Sequence, residues 1–339
     1  MASSTARTRP GMNDVARLAG VSHQTVSRVL NHHPNVREDT RARVLSAIAE
    51  LGYRRNSAAR ALVTRRSSMI GIVTSGSVRY GPASTLVALE QAARSAGFFV
   101  SVSVASHPTP GAMRDILETF MDQSVEGVAV IAPGREVADA ARAASGQVPV
   151  IMLASVPRES GGPQTICVDQ ELGARLAARH LIGLGHRDLV QLTGPDDWFD
   201  AQARVRGWRA ETEAAGFQPR PEIEGDWGSD RGYEVGVSLL ADLPTAVFAA
   251  NDQMALGLLR AFAEAGVDVP GRVSVVGFDD IEGASNFYPP LTTVRQDFEA
   301  LGKTAIDVLV AAIRGVTSDP ASIPPELVRR ASTGPAPAL

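Results

Sequence analysis

One cysteine stands in 339 residues, Cys167, and a single thiol excludes any intrachain disulfide framework. It lies in the apolar run Ile166-Cys167-Val168, which reads as a buried strand thiol rather than a reactive one. No apolar stretch approaches the length of a membrane helix. The opening residues, MASSTARTRPG, lack the apolar centre of a secretory signal. The expectation is a cytoplasmic protein with no membrane partner. No Gly-x-Gly-x-x-Gly follows a strand pattern, since Gly183-Leu184-Gly185 falls at a helix end, and there is no phosphate-binding P-loop. The histidines (His23, His32, His33, His107, His180, His186) are scattered or lie near the front, with neither metal spacing nor a nucleophile–base–orienter set. The chain therefore reads as a non-enzyme with no cofactor and no metal site.

What is present is a lopsided charge. The whole chain carries -4, yet up to Arg66 twelve arginines stand against four acids, +8, which leaves −12 for the remainder. A basic front on an acidic body is the electrostatic footprint of a polyanion-binding head. Within that front, DVARLAGVSHQTVSRVLN (Asp14 to Asn31) reads as two short helices around a tight turn. Val15 and Leu18 give the first helix an apolar side, and Gly20 supplies the positive φ of the turn. Ser22 stands at an N-cap position. Val26, Val29 and Leu30 recur at helical spacing and face inward. That leaves His23, Gln24, Thr25, Ser27 and Arg28 outside, with Asn31 at the end of the stretch. A helix-turn-helix offers the start of its second helix to the major groove, where Gln suits adenine and Arg suits guanine. An ordinary helical hairpin with a solvated face fits the same local pattern. A third helix over residues 38–52 has Val44, Leu45, Ile48 and Leu51 on one face and Gly52 as its stop.

NSAARAL, residues 56–62, is helix-prone but only about two turns long, too short to hold a helix alone in water. It is either a passive tether or a segment that folds when something holds it. From Met69 short apolar strands alternate with amphipathic helices. The strands read as 70–74, 98–104, 128–132, 148–153, 188–193, 246–249 and 273–277, with helices between them. This is the βαβ rhythm of parallel sheets, and its restart after residue 170 implies two lobes with a crevice between them. Ligands in such sheets sit beyond the C-terminal strand ends. The tail ASTGPAPAL carries no heptad pattern, so no C-terminal tetramerisation coiled coil is expected.

The head DVARLAGVSHQTVSRVLN, the segment NSAARAL, and the runs GWRAETEAAG, EGDW, ANDQMALG, VSVVGFDD and PPLTTVRQDF resemble the lac repressor family of bacterial transcription regulators. The resemblance covers nearly the whole chain. It implies an α/β fold: a three-helix helix-turn-helix head and a hinge helix, joined to a two-lobed periplasmic-binding-protein-like core of two doubly wound parallel sheets. The implied domains are 1–54 (head), 55–67 (hinge) and 68–331 (core). Lobe 1 takes about 68–166 and 297–325, lobe 2 about 167–294 and 326–331, and 332–339 is a disordered tail. The resemblance further implies a homodimer on palindromic double-stranded operator DNA, within the nucleoid. His23, Gln24 and Arg28 would meet base edges. Asn56, Ala59 and Leu62 of paired hinges would enter the minor groove, Leu62 as an apolar wedge between base steps.

Between the lobes the resemblance places a small sugar effector, first of all a galactoside. It assigns Arg204, Asn251 and Asp279 to the sugar hydroxyls and Trp227 and Phe298 to its apolar face, with Gln296 nearby. Two positions depart from the member that names the family: Ala154 stands for an Asp and Ile131 for an Asn. Asp200, in place of a Ser, is expected either to supply the hydroxyl partner that an alanine at 154 does not, or to pair with Arg204 one helical turn on. The sugar would favour a lobe arrangement that separates the hinges, so DNA affinity falls by the sugar's differential affinity for the two states. The rival readings are a sugar-binding protein of a transport system, which shares the core, and an enzyme on a doubly wound fold.

Overall fold

The computed structural model describes residues 10–30, 33–53, 66–107, 109–144, 146, 148–156, 162–318 and 322–337. The chain divides into two units, Met1–Ser67 and Ser68–Leu339. Asn31 and the hinge candidates Asn56, Ala59 and Leu62 lie outside the described residues.

The first unit holds three helices, α1 (Met12–Ala19), α2 (His23–Leu30) and α3 (Glu38–Leu51). Gly20 ends α1 at φ 64°, a left-handed backbone that a side chain would strain. Ser22 then starts α2: its Oγ accepts the Thr25 amide at 3.1 Å. Val15, Ala16, Ala19, Val26, Val29, Val44, Ala47 and Tyr53 close one small core. Two expected core residues are not in it. Leu18 is 45% and Leu45 52% exposed. Both lie at the margin of their helix faces, while Ala16, Ala19 and Ala47 are enclosed.

The second unit has two five-stranded sheets. The first orders β2 (Phe99–Val104), β1 (Met69–Thr74), β3 (Gly127–Ile131), β4 (Val150–Leu153) and β5 (Gln164–Ile166), all parallel. Helices α4 (Tyr80–Ser95), α5 (Pro110–Asp122) and α6 (Arg135–Ala144) connect its strands. The second orders β10 (Glu326–Val328), β9 (Thr292–Arg295), β8 (Ser274–Asp279), β7 (Ala246–Ala249) and β6 (Leu189–Leu192). It is parallel from β6 to β9, with β10 antiparallel on the edge. Its helices are α7 (Gln170–Gly183), α8 (Phe199–Ala214), α9 (Ser229–Leu239) and α10 (Asp252–Glu264). A last helix, α11 (Phe298–Ile313), returns to the first sheet, where Leu301, Ile306 and Leu309 join Ile70, Leu89 and Ile151 in one core.

The chain thus passes between the lobes around Cys167–Asp169, Gln296–Asp297 and Ile323. Two of these crossings are tied together: the Asp169 amide donates to the Ile323 carbonyl and the Ile323 amide to the Cys167 carbonyl. Cys167 is therefore a half-buried crossover residue rather than a buried strand thiol. Burial and the nearby Asp200 carboxylate push its thiol up to about 11, so it stays protonated. The tail also differs from expectation. Through Pro337 it is held in lobe 2: Ser332 is fully buried, and its Oγ accepts the Thr292 amide and donates to the Val275 carbonyl. The Ala336 amide donates to the Leu184 carbonyl. Proline and alanine content predicts looseness only where the backbone finds no partners, and here the strand starts offer them.

Candidate functional site

In the head, the arrangement of α2 follows from its packing. Val26 and Val29 are buried, which turns His23, Gln24 and Arg28 to solvent. Thr25 and Ser27 are half-buried beside them, and Thr25 Oγ1 lies 2.9 Å from Ser22 Oγ. The three exposed side chains can each donate to or accept from a base edge.

In the core, α7, α8 and the C-terminal ends of β8 and β9 bring four groups into a ring closed by three hydrogen bonds and one ion pair. Arg204, 3% exposed on α8, donates from Nε to Gln170 Oε1 at 2.9 Å. Gln170 Nε2 donates to Gln296 Oε1 at 2.7 Å. Gln296 Nε2 donates to Asp279 Oδ1 at 2.7 Å, and Asp279 faces Arg204 Nη2 at 3.6 Å. A further guanidinium nitrogen donates to the Ala250 carbonyl. The guanidinium is also stacked 3.7 Å from the centre of the Phe278 ring and 5.5 Å from that of Trp227. A buried ion pair needs such extra partners to offset desolvation. Burial still acts on both charges. It pushes Asp279 up to about 6 although Arg204 pulls it down, and it lowers Arg204 although Asp279 raises it.

The remaining predicted residues gather at the same cleft. Asn251 caps α10, accepting the Met254 amide at 2.9 Å, and donates to the Trp227 carbonyl. Trp227 is 5% exposed and Phe298 half-buried at the start of α11. Trp227 and Asp279 both hold positive φ, 70° and 110°, as does Asp280 at 52°. Strained non-glycine backbone of this kind persists where surrounding structure imposes it, often at binding sites. Asp200 is not in an ion pair with Arg204. Its Oδ1 accepts from Ser155 Oγ at 2.5 Å, across the cleft from the other lobe.

Two hollows meet here. One is bounded by Ile131, Leu153, Ala154, Ile166 and Leu301 with Phe298. The other is bounded by Arg204, Trp227, Asn251 and Asp279 with Arg79 and Tyr80. They share Gly81, Pro82, Trp198 and Asp200. Sequence reasoning missed Gln170, Trp198 and Ser155. Gln170 opens a helix directly after a crossover, a placement that marks a cleft only once both lobes are drawn. Trp198 pairs edge-on with Trp227, ring centres 5.5 Å apart. Next to it, Phe199 leaves lobe 2 to bury itself in the lobe 1 core, its amide donating to the Pro133 carbonyl at 2.9 Å.

Residues 11–56 match the family described as bacterial regulatory proteins, lacI family, and residues 178–333 match a periplasmic binding protein-like domain. The chain is 37% identical over 324 residues to the lactose operon repressor of Escherichia coli (strain K12), across 94% of this chain and 89% of that one. It is 35% identical over 311 residues to the ribose operon repressor of the same strain, across 89% and 92%. A solved structure of the lac repressor dimer, bound to operator and the anti-inducer ONPF, matches with a TM-score of 0.82 at 35% identity, over 96% of this chain and 100% of that one.

Proposed function

Because the chain belongs to the lacI family of bacterial regulatory proteins, we propose that it is a sequence-specific transcriptional repressor of carbohydrate-utilisation genes, released from a palindromic operator by a sugar held between its lobes. The observation that carries this reading is the Arg204–Gln170–Gln296–Asp279 ring at the floor of the cleft. It fixes a cation and a carboxylate in one geometry, as recognition of vicinal hydroxyls requires. Arg204, Asn251 and Asp279 take the hydroxyls, Trp227 and Phe298 the C–H faces, and Gln296 holds Asp279 in position. Asp200, presented on Ser155, accepts from the hydroxyl that Ala154 has no polar atom to meet. Calorimetry on Asp200→Ala tests that role, and unchanged sugar affinity removes it.

His23, Gln24 and Arg28 read base edges, with Thr25, Ser27 and Asn31 beside them. The arginines of the front set overall affinity through phosphates, so binding falls steeply with salt. Asn56, Ala59 and Leu62 act in the hinge. The acting form is a homodimer in the cytoplasm. Its pairing face includes the exposed apolar side chains Phe99, Val102 and Val104 on edge strand β2 and Val87 on α4, which would otherwise meet water. A galactoside is the first sugar to try.

Gel-shift titration of a palindromic duplex, with and without sugars, tests the whole reading. The expected result is tight binding that a sugar weakens and that collapses when Asn56–Leu62 is replaced by glycine and serine. Undiminished binding by that variant, together with indifference to every sugar, refutes it.

A further inference from the structure

The end of β8 holds two successive non-glycine residues in left-handed backbone, Asp279 at φ 110° and Asp280 at φ 52°. Asp279 belongs to the cleft ring, while Asp280 is gripped by two arginines. Its Oδ1 accepts from Arg330 Nη2 at 2.6 Å and its Oδ2 from Arg295 Nε at 2.7 Å. The two arginines differ. Arg295 is 49% exposed and also faces Glu326 at 3.8 Å. Arg330 is 16% exposed, beside a carboxylate that is 9% exposed, so water and salt screen that pair far less. Arg330 is also fixed along its length. Its amide donates to Thr292 Oγ1 at 2.9 Å, and its Nη1 to the Leu291 carbonyl at 2.7 Å. Beyond it the C-terminal segment is seated by two histidines. His180 Nε2 lies 2.9 Å from Thr333 Oγ1, and His186 Nε2 lies 3.0 Å from the Gly334 carbonyl.

Resting on the sugar reading above, we propose that Arg330 is a positioning residue of the effector site: from the C-terminal segment it clamps Asp280, and so holds the neighbouring Asp279 carboxylate where the sugar meets it. Left-handed backbone is unfavourable for a residue with a Cβ, and it relaxes unless its surroundings impose it. The bonds that impose it here are few. The Asp280 amide donates to Thr293 Oγ1 at 3.3 Å, and the Ile281 amide to Asp252 Oδ2 at 2.9 Å. The bond from Arg330 is shorter than either and is charge-assisted, which makes it the strongest of them. Without it the turn relaxes towards extended backbone, which swings the Asp279 side chain off Gln296 and Arg204. Arg330 borders neither hollow, so its effect on the sugar passes entirely through Asp280 and Asp279. The response to effector thereby depends on how the last residues of the chain are seated in lobe 2.

The test pairs calorimetry on the full-length protein, with the methyl β-glycosides of galactose and of glucose, with hydrogen exchange of the peptide covering residues 278–283 in the absence of sugar. Arg330→Met should weaken binding of the glycoside that the native protein takes by at least about tenfold, and quicken exchange of that peptide by at least about fivefold. Arg330→Lys keeps a cation for Asp280 and should recover affinity to within about threefold of native. Arg209→Met breaks a comparable pair on the same lobe, with Glu222 at 2.7 Å, and should change neither readout. Unchanged affinity or unchanged exchange in Arg330→Met overturns the proposal. An equal loss in Arg209→Met, or no recovery in Arg330→Lys, overturns it too, because the effect would then be one of general stability. Silence from the native protein with both glycosides counts against the sugar reading, and the exchange result then decides the clamp by itself.

Discussion

Arg204→Met puts the cleft's central assumption to the hardest test. Methionine keeps most of the side-chain volume over Phe278, so the change is chiefly electrostatic. It leaves the Ala250 carbonyl and Gln170 Oε1 without their donor, and it leaves Asp279, 6% exposed, without its counter-charge. At 3.6 Å and an effective dielectric of about 20, the attraction removed is about 4–5 kcal/mol. Removing one partner of a buried pair ordinarily costs about 3–5 kcal/mol, in agreement. Asp279 has one escape, to take a proton. Its carboxyl titrates at about 6 in the fold, pushed up by burial and held down by Arg204, against about 3.9 in the unfolded chain. A carboxyl raised on folding favours the native state at low pH and loses that favour as pH rises through its folded value. Without Arg204 the folded value moves higher still. The variant's deficit relative to the native protein should therefore be modest near pH ~5 and reach its full size near pH ~8. Urea denaturation followed by tryptophan fluorescence reads this directly, because Trp198, Trp208 and Trp227 all lie in the core unit. A deficit below about 1 kcal/mol, or one identical at both pH values, would refute the account of the ring.

Three further expectations follow from single positions. Asp252, fully buried, accepts from Thr293 at 2.5 Å and from the Ile281 amide at 2.9 Å, and desolvation with Asp279 nearby pushes it up to about 8. The native state thus keeps a proton that the unfolded chain releases, and stability declines as pH rises towards that value. Asp252→Asn should make the decline between pH ~6 and ~8 shallower by at most about 1.4 kcal/mol per pH unit, read from denaturation midpoints. A Cβ at Gly207 would run into the Glu171 carbonyl, backbone that cannot step aside, so Gly207→Ala should force α7 and α8 apart and lower stability by about 1–3 kcal/mol in thermal melting. Ser22→Ala removes the cap on α2 and about 1 kcal/mol with it, so amide exchange across residues 12–30 should quicken about fivefold while the core is unaffected.

Much of the architecture is local and was therefore open to reading. The turn at Gly20, the cap at Ser22 and the outward faces of His23, Gln24 and Arg28 depend on neighbours within one or two helical turns. The βαβ rhythm is equally local, and strands such as 246–249 lie where the apolar runs place them. Past residue 277 the rhythm fades, because α11 returns to the first sheet, whose strands come from far earlier in the chain, and β10 lies antiparallel on the edge of the second. Leu18 and Leu45 misled for a related reason: periodicity names a face, but the packing of the three helices decides which residues on that face are enclosed.

The cleft shows the same division most sharply. Asn251 and Asp279 were identifiable from sequence as polar groups in runs resembling a known family, and Arg204 as a polar group just before another such run. Nothing in those runs revealed that Arg204 reaches Asp279 through two glutamines, 170 and 296, drawn from opposite sides of the lobe crossover. Nor did they show that Asp200 answers Ser155 rather than Arg204. Hydrogen bonds between residues 45 or 126 positions apart have no local signature. They exist only because two separately folded sheets hold their loops a few ångströms from each other. The order of residues settled which chemistry was available, and the meeting of the lobes settled which groups would be partners.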